Sequence, residues 1–160
     1  MPFIEPDAQA FIDEVTQALE EEPGFGMAQL MERVLQYLYG EAISIFVLER
    51  ATDELVCKYS SGPVGKQVFG LRIPVGQGVV GWVVKYEEDL IVPSTDLDPR
   101  FYGGVDEQTG FVTRSILCVP MFQAGQVIGA IEVMNKTTGH FNDEDVLFLQ
   151  EIADVVADYG

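Results

Sequence analysis

The glycines of residues 76–81 are the residues whose spacing most directly suggests chemistry. Their order, Gly-Gln-Gly-Val-Val-Gly, matches the dinucleotide-binding pattern G-x-G-x-x-G, and Asp98 follows where that pattern expects an acidic residue. Pro74, however, lies where the pattern requires a buried parallel strand, and proline cannot donate to a central ladder. The sequence therefore disfavours a dinucleotide site. Glycines before a helix still leave its first N–H groups free to bind a phosphate.

The sequence contains few residues that could carry out thiol or imidazole chemistry, with two cysteines and one histidine. Cys118 lies in an apolar run without a neighbouring His, Lys or Arg, and Cys57 has only Lys58 beside it. A thiol in apolar surroundings has a raised pKa and is generally inert, so we expect both cysteines to be core residues. His140 precedes Phe141 in a predicted turn and is expected to be solvated. Two cysteines and one histidine suit neither a disulfide framework nor a metal site.

Carboxylates dominate the charge, with 26 Asp and Glu against 9 Lys and Arg and a net charge of −17. Acidic runs at residues 20–22, 87–89 and 143–145 are typical of solvated surface. Such a surface repels a phosphate backbone and an anionic membrane, which excludes nucleic acid and membranes as expected partners. It does not exclude a small anionic ligand. Since no catalytic constellation emerges, elimination favours a binding module over an enzyme.

The hydrophobic periodicity indicates which elements position these residues. It predicts helices at residues 7–22, 27–39, 78–86 and from 142 or 143 onward. Apolar, β-branched runs predict strands at residues 42–48, 55–60, 69–75, 90–92, 115–122 and 127–134. Residues 93–113 form a long polar stretch, and such loops are uncommon unless functional. The order predicts an α+β domain with a mainly antiparallel sheet, terminal helices on one face and a pocket under short helices and loops on the other.

The length of the chain indicates how many domains to expect, and its N-terminal residues indicate the cellular compartment. The chain has 160 residues, which fits a single domain over residues 1–160. Its first residues lack the basic and apolar regions of a signal peptide, and no apolar run reaches the roughly 20 residues that span a bilayer. We therefore expect a reduced, cytoplasmic protein.

Several stretches together resemble the GAF domain, a small-molecule sensor fold. They are residues 73–82, 98–101, 104–120 and 127–136, and the likeness extends over residues 27–157. It implies a GAF/PAS-like core over residues 27–157, preceded by a helix at residues 7–22. The segment from residue 101 to 136 is most similar to the regulatory GAF domains of cyclic-nucleotide phosphodiesterases and adenylyl cyclases. Their Asn-Lys, Phe, Asp-Glu signature is matched by Asn135, Lys136, Phe141 and Asp145, with Val146 in place of the final Glu.

The resemblance implies a site for a cyclic nucleotide or a similar purine ligand. Val79 and Val80 at a helix start, with Tyr102 in a loop, would bind the phosphate through backbone N–H groups. Thr109 and Thr113 would contact the ligand from a lid formed by residues 93–113. Movement of this lid would bias the terminal helices and so pass on the signal.

Further positions carry over to the base and to the fold. Glu132 would project from its strand towards the base or sugar, and Tyr59 would stack on the purine. Ser60 stands where guanine-binding members often have Asp, which puts guanine selectivity in doubt because a hydroxyl matches two N–H donors poorly. Lys136 and Asp145 would form a structural clasp.

Alternatives within the family remain open on the sequence. One is a degenerate GAF domain that dimerises without a nucleotide; another is an enzyme like the free methionine sulfoxide reductases, which depend on cysteines around the pocket. This sequence has no cysteine between Cys57 and Cys118, which counts against the reductase, and it offers no reactive cysteine with a neighbouring His for bilin attachment. We expect a non-catalytic sensor without cofactor or metal, acting on an unknown output protein. A homodimer is expected through residues 7–22, because three amphipathic helices on one small sheet face would leave an apolar stripe uncovered.

Overall fold

The computed structural model describes residues 5–159, apart from the side chains of Val105 and Gln108. The elements in chain order are α1 Pro6–Glu21, α2 Met27–Leu38, β1 Ala42–Glu49, β2 Glu54–Ser61, α3 Gly65–Val68, β3 Arg72–Pro74, α4 Gly78–Tyr86, β4 Leu90–Val92, a 3₁₀ turn Thr95–Leu97, α5 Gly104–Thr109, β5 Ile116–Gln123, β6 Gln126–Met134 and α6 Asp143–Tyr159. The strand predicted at residues 69–75 is limited to Arg72–Pro74. The 3₁₀ turn and α5 lie within residues 93–113, which were predicted to form a loop.

The strands form one six-stranded sheet in the order β3-β2-β1-β6-β5-β4, and every neighbouring pair is antiparallel. The β1–β2 and β5–β6 hairpins meet at β1 and β6, the two central strands. This arrangement confirms the predicted α+β class. Both sheet faces are covered, and the two coverings differ in kind.

The first face is covered by α1, α2 and α6. Val15, Val34 and Leu149 are fully buried there, together with Ile45, Leu117 and Ile131 of the sheet. Phe11 of α1 packs against Tyr37 and Phe148, with ring centroids 4.9 and 5.4 Å away. The α1 helix therefore folds back onto its own chain. Its apolar stripe is not left uncovered, which corrects the premise of the homodimer prediction.

Local capping explains where the helices begin and end. The N–H of Gly26 donates to the Gln29 side chain at 2.9 Å and starts α2, which ends at Tyr39 with a left-handed φ of 55°. Before α6, the N–H of Asp145 donates to Asn142 Oδ1 at 2.9 Å, and the N–H of Asn142 donates back to Asp145 Oδ2 at 3.2 Å. Such reciprocal bonds satisfy orphan N–H groups at a helix start.

The second face is covered less completely, by α3, α4, α5 and the connecting loops. Val80, Val83 and Val84 of α4 pack over Ile116, Cys118 and Ala130 of the sheet. Both cysteines are completely buried, as predicted. Space remains on this face between the sheet and the shorter elements. Within residues 5–159, the helices are all too short or too polar to cross a membrane.

The position of α1 predicts a stability effect. Ile12→Ala should lower the free energy of unfolding by about 2–5 kcal/mol, because it leaves a cavity between α1 and the rest of the core. Urea unfolding measures the loss. The exposed Glu20→Gln on the same helix is the control and should stay within about 0.5 kcal/mol of the parent. Equal stability of both variants would show that α1 is undocked in solution.

Candidate functional site

The space on the second sheet face is a cavity of about 700 Å³, a volume that includes its open mouth. Its floor is the sheet, and its walls come from α3, from the start of α4, and from residues 101–113. Aromatic and aliphatic side chains form most of the lining, among them Phe46, Val68, Phe101, Phe111 and Ile116. Polar groups enter this apolar lining at a few positions only, and those positions define the chemistry.

The floor carries a row of polar residues that are paired across the strands. Ser60 of β2 pairs with Ser44 of β1, Ser44 with Glu132 of β6, and Glu132 with Cys118 of β5. The two serine hydroxyls are hydrogen-bonded at 3.0 Å. Paired residues on neighbouring strands lie on the same face. Glu132 therefore lies on the floor of the cavity, where its predicted contact with a ligand requires it.

A β-bulge in β2 decides which residue joins this row. Ile45 pairs with Tyr59 but Phe46 pairs with Cys57, so Lys58 is the extra residue. One extra residue reverses the inside-outside alternation beyond it. Tyr59 consequently lies on the helix-covered face beside Ile45 and is absent from the cavity lining, while Ser60 reaches the floor. This corrects the prediction that Tyr59 stacks on a ligand.

Glu132 lies in the cavity without a partner. No residue that the structure describes donates a hydrogen bond to its carboxylate. Burial, and secondly the negative charge of Asp106, raise the pKa of Glu132 to about 7. Lys and Arg are missing from the described lining residues, so nothing nearby balances the charge of an ionised Glu132.

The start of α4 forms one wall and explains the glycine pattern. Gly76 and Gly78 have positive φ angles of 93° and 69°, which favour glycine. A Cβ on Gly81 would lie 2.9 Å from the Pro74 carbonyl oxygen. The glycines thus shape a tight turn into α4 rather than a dinucleotide fold. Val79 and Val80 line the cavity at the first turn, where helix N–H groups have no intrahelical acceptor.

The opposite wall contains Tyr102, Thr109 and Thr113, as predicted for the lid, together with Asp106. Asp106 accepts hydrogen bonds from the backbone N–H and the hydroxyl of Thr113, at 2.7 and 2.8 Å. The Thr113 hydroxyl is therefore already engaged within the lid. Sequence analysis missed Asp106, which lies in the middle of a polar stretch and has no local signal of its own.

Asn135 fixes the end of the lid. This buried residue has a left-handed φ of 60°. Its Oδ1 accepts hydrogen bonds from the N–H groups of Arg114 and Ser115, at 2.6 and 3.2 Å, and its amide donates to the Val112 carbonyl at 2.8 Å. The next residue, Lys136, forms an ion pair of 2.8 Å with Asp145 at the start of α6, in the geometry of the expected clasp.

A second anchor holds the beginning of the lid. Arg100 forms two side-chain hydrogen bonds with Asp98, at 2.9 and 2.6 Å, and lies 4.7 Å above the centre of the Trp82 ring. The Arg100 side chain lowers the pKa of Asp98. The pair and the ring attach the lid to α4, so Trp82 lies beside the beginning of the lid.

Both thiols lie on the same sheet face as the cavity but are covered by other side chains. Neither cysteine is among the residues that line the cavity. Burial raises the pKa of Cys57 to about 12, and it raises the pKa of Cys118 as well. The neighbouring Glu132 carboxylate adds to both shifts. A thiolate nucleophile is therefore disfavoured at both positions.

The comparison with protein families agrees with this architecture. The family model of the GAF domain matches residues 27–158, most of the chain. The chain belongs to the GAF domain family. Among curated proteins, it is 30% identical over 118 residues to the dual 3',5'-cyclic-AMP and -GMP phosphodiesterase 11A of Takifugu rubripes. That match covers 67% of this GAF domain chain but only 13% of the phosphodiesterase.

Solved GAF structures share the fold at lower sequence identity. A GAF domain from a phosphoenolpyruvate-protein phosphotransferase of Coxiella burnetii superposes with a TM-score of 0.84 at 22% identity, covering 95% of this chain and 91% of that one. A free methionine-R-sulfoxide reductase of Neisseria meningitidis, in complex with its substrate, has a TM-score of 0.77 at 20% identity, with coverages of 99% and 93%. At such identities the likeness concerns the fold alone.

The burial of Glu132 predicts a pH effect on stability. Its pKa is near 7 in the folded chain and about 4.3 when unfolded, so the folded state binds the proton more tightly. The stability that Glu132 contributes is then largest below about pH 4 and is lost as the pH rises to 7. Glu132→Gln lacks this loss. Between pH 4 and 8 its unfolding free energy should gain up to about 3 kcal/mol relative to the parent, as measured by urea unfolding.

The exposed Glu107→Gln is the matched control for that experiment, because Glu107 lies on α5 outside the cavity. Its pH profile should run parallel to that of the parent. A parallel profile for Glu132→Gln as well would contradict the raised pKa of Glu132.

The bonds of Asn135 predict a local effect on the lid. Asn135→Ala should lower the free energy of unfolding by about 1–3 kcal/mol, because it removes three hydrogen bonds to part-buried backbone groups. It should also speed hydrogen exchange at the N–H groups of Arg114 and Ser115. Asn142→Ala, which removes only the cap of α6, should cost about 1 kcal/mol and leave that exchange unchanged. Unchanged exchange in Asn135→Ala would contradict the anchoring role.

Proposed function

We propose that this GAF domain is a non-catalytic sensor module that binds a small molecule, either a cyclic nucleotide or a similar purine, in the cavity on the second sheet face. The observation that carries the proposal is the pairing of two kinds of polar group in one apolar, aromatic cavity. The first turn of α4 offers N–H donors, and Glu132 offers an unpartnered carboxyl group. A ligand with an anionic group and a nitrogen-containing ring has complements for both.

The phosphate is assigned to the backbone of α4. The first N–H groups of a helix carry a partial positive charge and bind phosphate without a basic side chain. Val79 and Val80 lie at this point, and Tyr102 faces it across the cavity mouth, 3.4 Å from where a Cβ on Gly78 would be. These are the groups that the family likeness implied for the phosphate.

The ring is assigned to the space between the sheet and the lid. Phe101 and Phe111 supply apolar surface there, and Thr109 lines the same wall. Glu132 with the Ser44 and Ser60 hydroxyls supplies the polar floor. With Tyr59 on the other sheet face, ring stacking falls to the lid phenylalanines. Hydroxyls and a carboxyl group accept or donate, so the choice between adenine and guanine stays open.

The signal is proposed to leave through β6. The lid ends on Asn135, and the adjacent Lys136 pairs with Asp145 of α6. A ligand that orders the lid would strengthen the Asn135 bonds and bias the start of α6. An output protein or a second copy of the chain would then read the position of the terminal helices.

The proposal that the domain is not an enzyme rests on the thiols. The methionine sulfoxide reductases that share the fold are the relevant alternative, and thiol chemistry needs an accessible, ionisable cysteine. Here both cysteines are buried and lie outside the described cavity lining. The alternative of a degenerate GAF domain that binds no nucleotide is disfavoured. In such a domain no described contact would offset the cost of placing the Glu132 carboxyl group in an apolar cavity.

Ligand binding predicts a shift in thermal stability. At 100 times its dissociation constant, cyclic AMP or cyclic GMP should add about 2.7 kcal/mol, because it binds only the folded state. For a domain of this size the melting temperature should rise by roughly 5–10 °C. Scanning fluorimetry measures the shift, and the emission of Trp82, the only tryptophan, should change in the same titration.

The double variant Cys57→Ala, Cys118→Ala is the matched control and should bind the same nucleotide as the parent. Two results would contradict the proposal. One is the absence of any shift with millimolar nucleotide in protein shown by mass spectrometry to be free of ligand. The other is reduction of methionine sulfoxide by the parent that the double variant has lost.

A further inference from the structure

The surroundings of Glu132 are unusual for a site that is to hold an anion. The α5 helix presents the Asp106 carboxylate, β5 the Cys118 thiol, and β2 the Cys57 thiol. The Tyr102 phenol lines the same cavity, and β1 contributes only the Ser44 hydroxyl. The described lining residues of α3 and α4 carry no charge. The described lining residues around Glu132 therefore include no Lys, Arg or His.

The two carboxyl groups of the cavity differ in their hydrogen bonds. The Asp106 carboxylate accepts two hydrogen bonds from Thr113 and is held within the lid. No residue that the structure describes donates a hydrogen bond to Glu132. A carboxyl group that is removed from water without such donors favours its neutral, protonated form. Glu132 is thus the group through which a proton can enter this cavity.

We propose that Glu132 selects ligands by charge, and that an anionic ligand enters the cavity together with a proton on Glu132. The inference rests on the proposed function and specifies its regulation. An anion at the first turn of α4 would share the cavity with Asp106 and an ionised Glu132, and it would be repelled because the described lining residues include no cation to offset three negative charges. Once protonated, Glu132 instead offers an O–H donor to the ligand.

The pKa of Glu132, raised to about 7, puts this change of charge near neutral pH. An anion raises that pKa further, so binding takes up a proton. Affinity for the anion is therefore highest below about pH 6, where Glu132 is already protonated. It falls as the pH rises above 7, because a proton must then be added when the anion binds.

Isothermal titration calorimetry with cyclic AMP and cyclic GMP tests the inference. For the nucleotide that binds, the dissociation constant should rise about tenfold between pH 6 and pH 8, since one group with a pKa near 7 must be protonated. At pH 7, the dependence of the heat on the ionisation enthalpy of the buffer should show an uptake of about half a proton. The phosphodiester itself keeps its charge over this range.

Two variants and two neutral ligands complete the design. Glu132→Gln should bind with less than about a twofold change between pH 6 and pH 8, whereas Glu107→Gln should keep the dependence of the parent. Adenosine and guanosine lack the phosphate, so any binding that they show should take up less proton, and depend less on pH, than binding of the nucleotide.

The outcomes separate the two proposals. Nucleotide binding that is independent of pH in the parent would overturn the role of Glu132 and leave the proposed function intact. Proton uptake with adenosine or guanosine equal to that with the nucleotide would also overturn selection by charge, since the phosphate would then be irrelevant. No binding of either nucleotide between pH 5.5 and pH 8 would overturn both proposals. A tenfold dependence that Glu132→Gln removes supports the inference.

Discussion

The second face of this domain depends on the hydrogen bonds of one buried side chain, that of Asn135. Its amide satisfies three backbone groups of residues 112–115, and these are the last residues before β5. Without that side chain, these part-buried backbone groups at the end of the lid would lose their partners, and leaving such groups unsatisfied is costly. Its left-handed backbone also turns the chain out of β6, so that Lys136 meets Asp145. One residue thus joins the lid, the central strand and α6.

The cavity exists because the two faces of the sheet are filled differently. Three long helices cover most of one face, and the N-terminal helix completes that layer within the same chain. Shorter elements cover the other face and leave room under the lid. A cavity so placed is polar only where backbone N–H groups of α4, sheet residues of the floor or side chains of the lid reach it. Its electrostatics therefore depend on a helix terminus and on two carboxyl groups, with no basic side chain among the described lining residues.

Much of the architecture could be predicted from the sequence because its signals are local. Helical periodicity and the glycine after Tyr39 indicated α2, and the apolar hairpin runs indicated the central strands, since period and turn chemistry act over a few residues. The glycine pattern before α4 and the Asn-Lys signature indicated the family. The positions of Val79, Val80 and Glu132 in the cavity followed from matching motifs, and the structure brings these three residues to one cavity.

What only the tertiary structure decided depends on contacts between distant residues. The bulge at Lys58 moves Tyr59 away from the cavity and brings in Ser60, and alternation along a strand cannot reveal it because the pairing partner sets the register. The docking of α1 likewise needed the positions of Tyr37 and Phe148. The sequence by itself determined the fold class, the family and the residues available for a site. Tertiary structure decided which of them meet, and it left Glu132, in the same cavity as Asp106, without a hydrogen-bond donor among the residues of known placement. Burial and charge at one point are sums over the whole chain, which no local pattern contains.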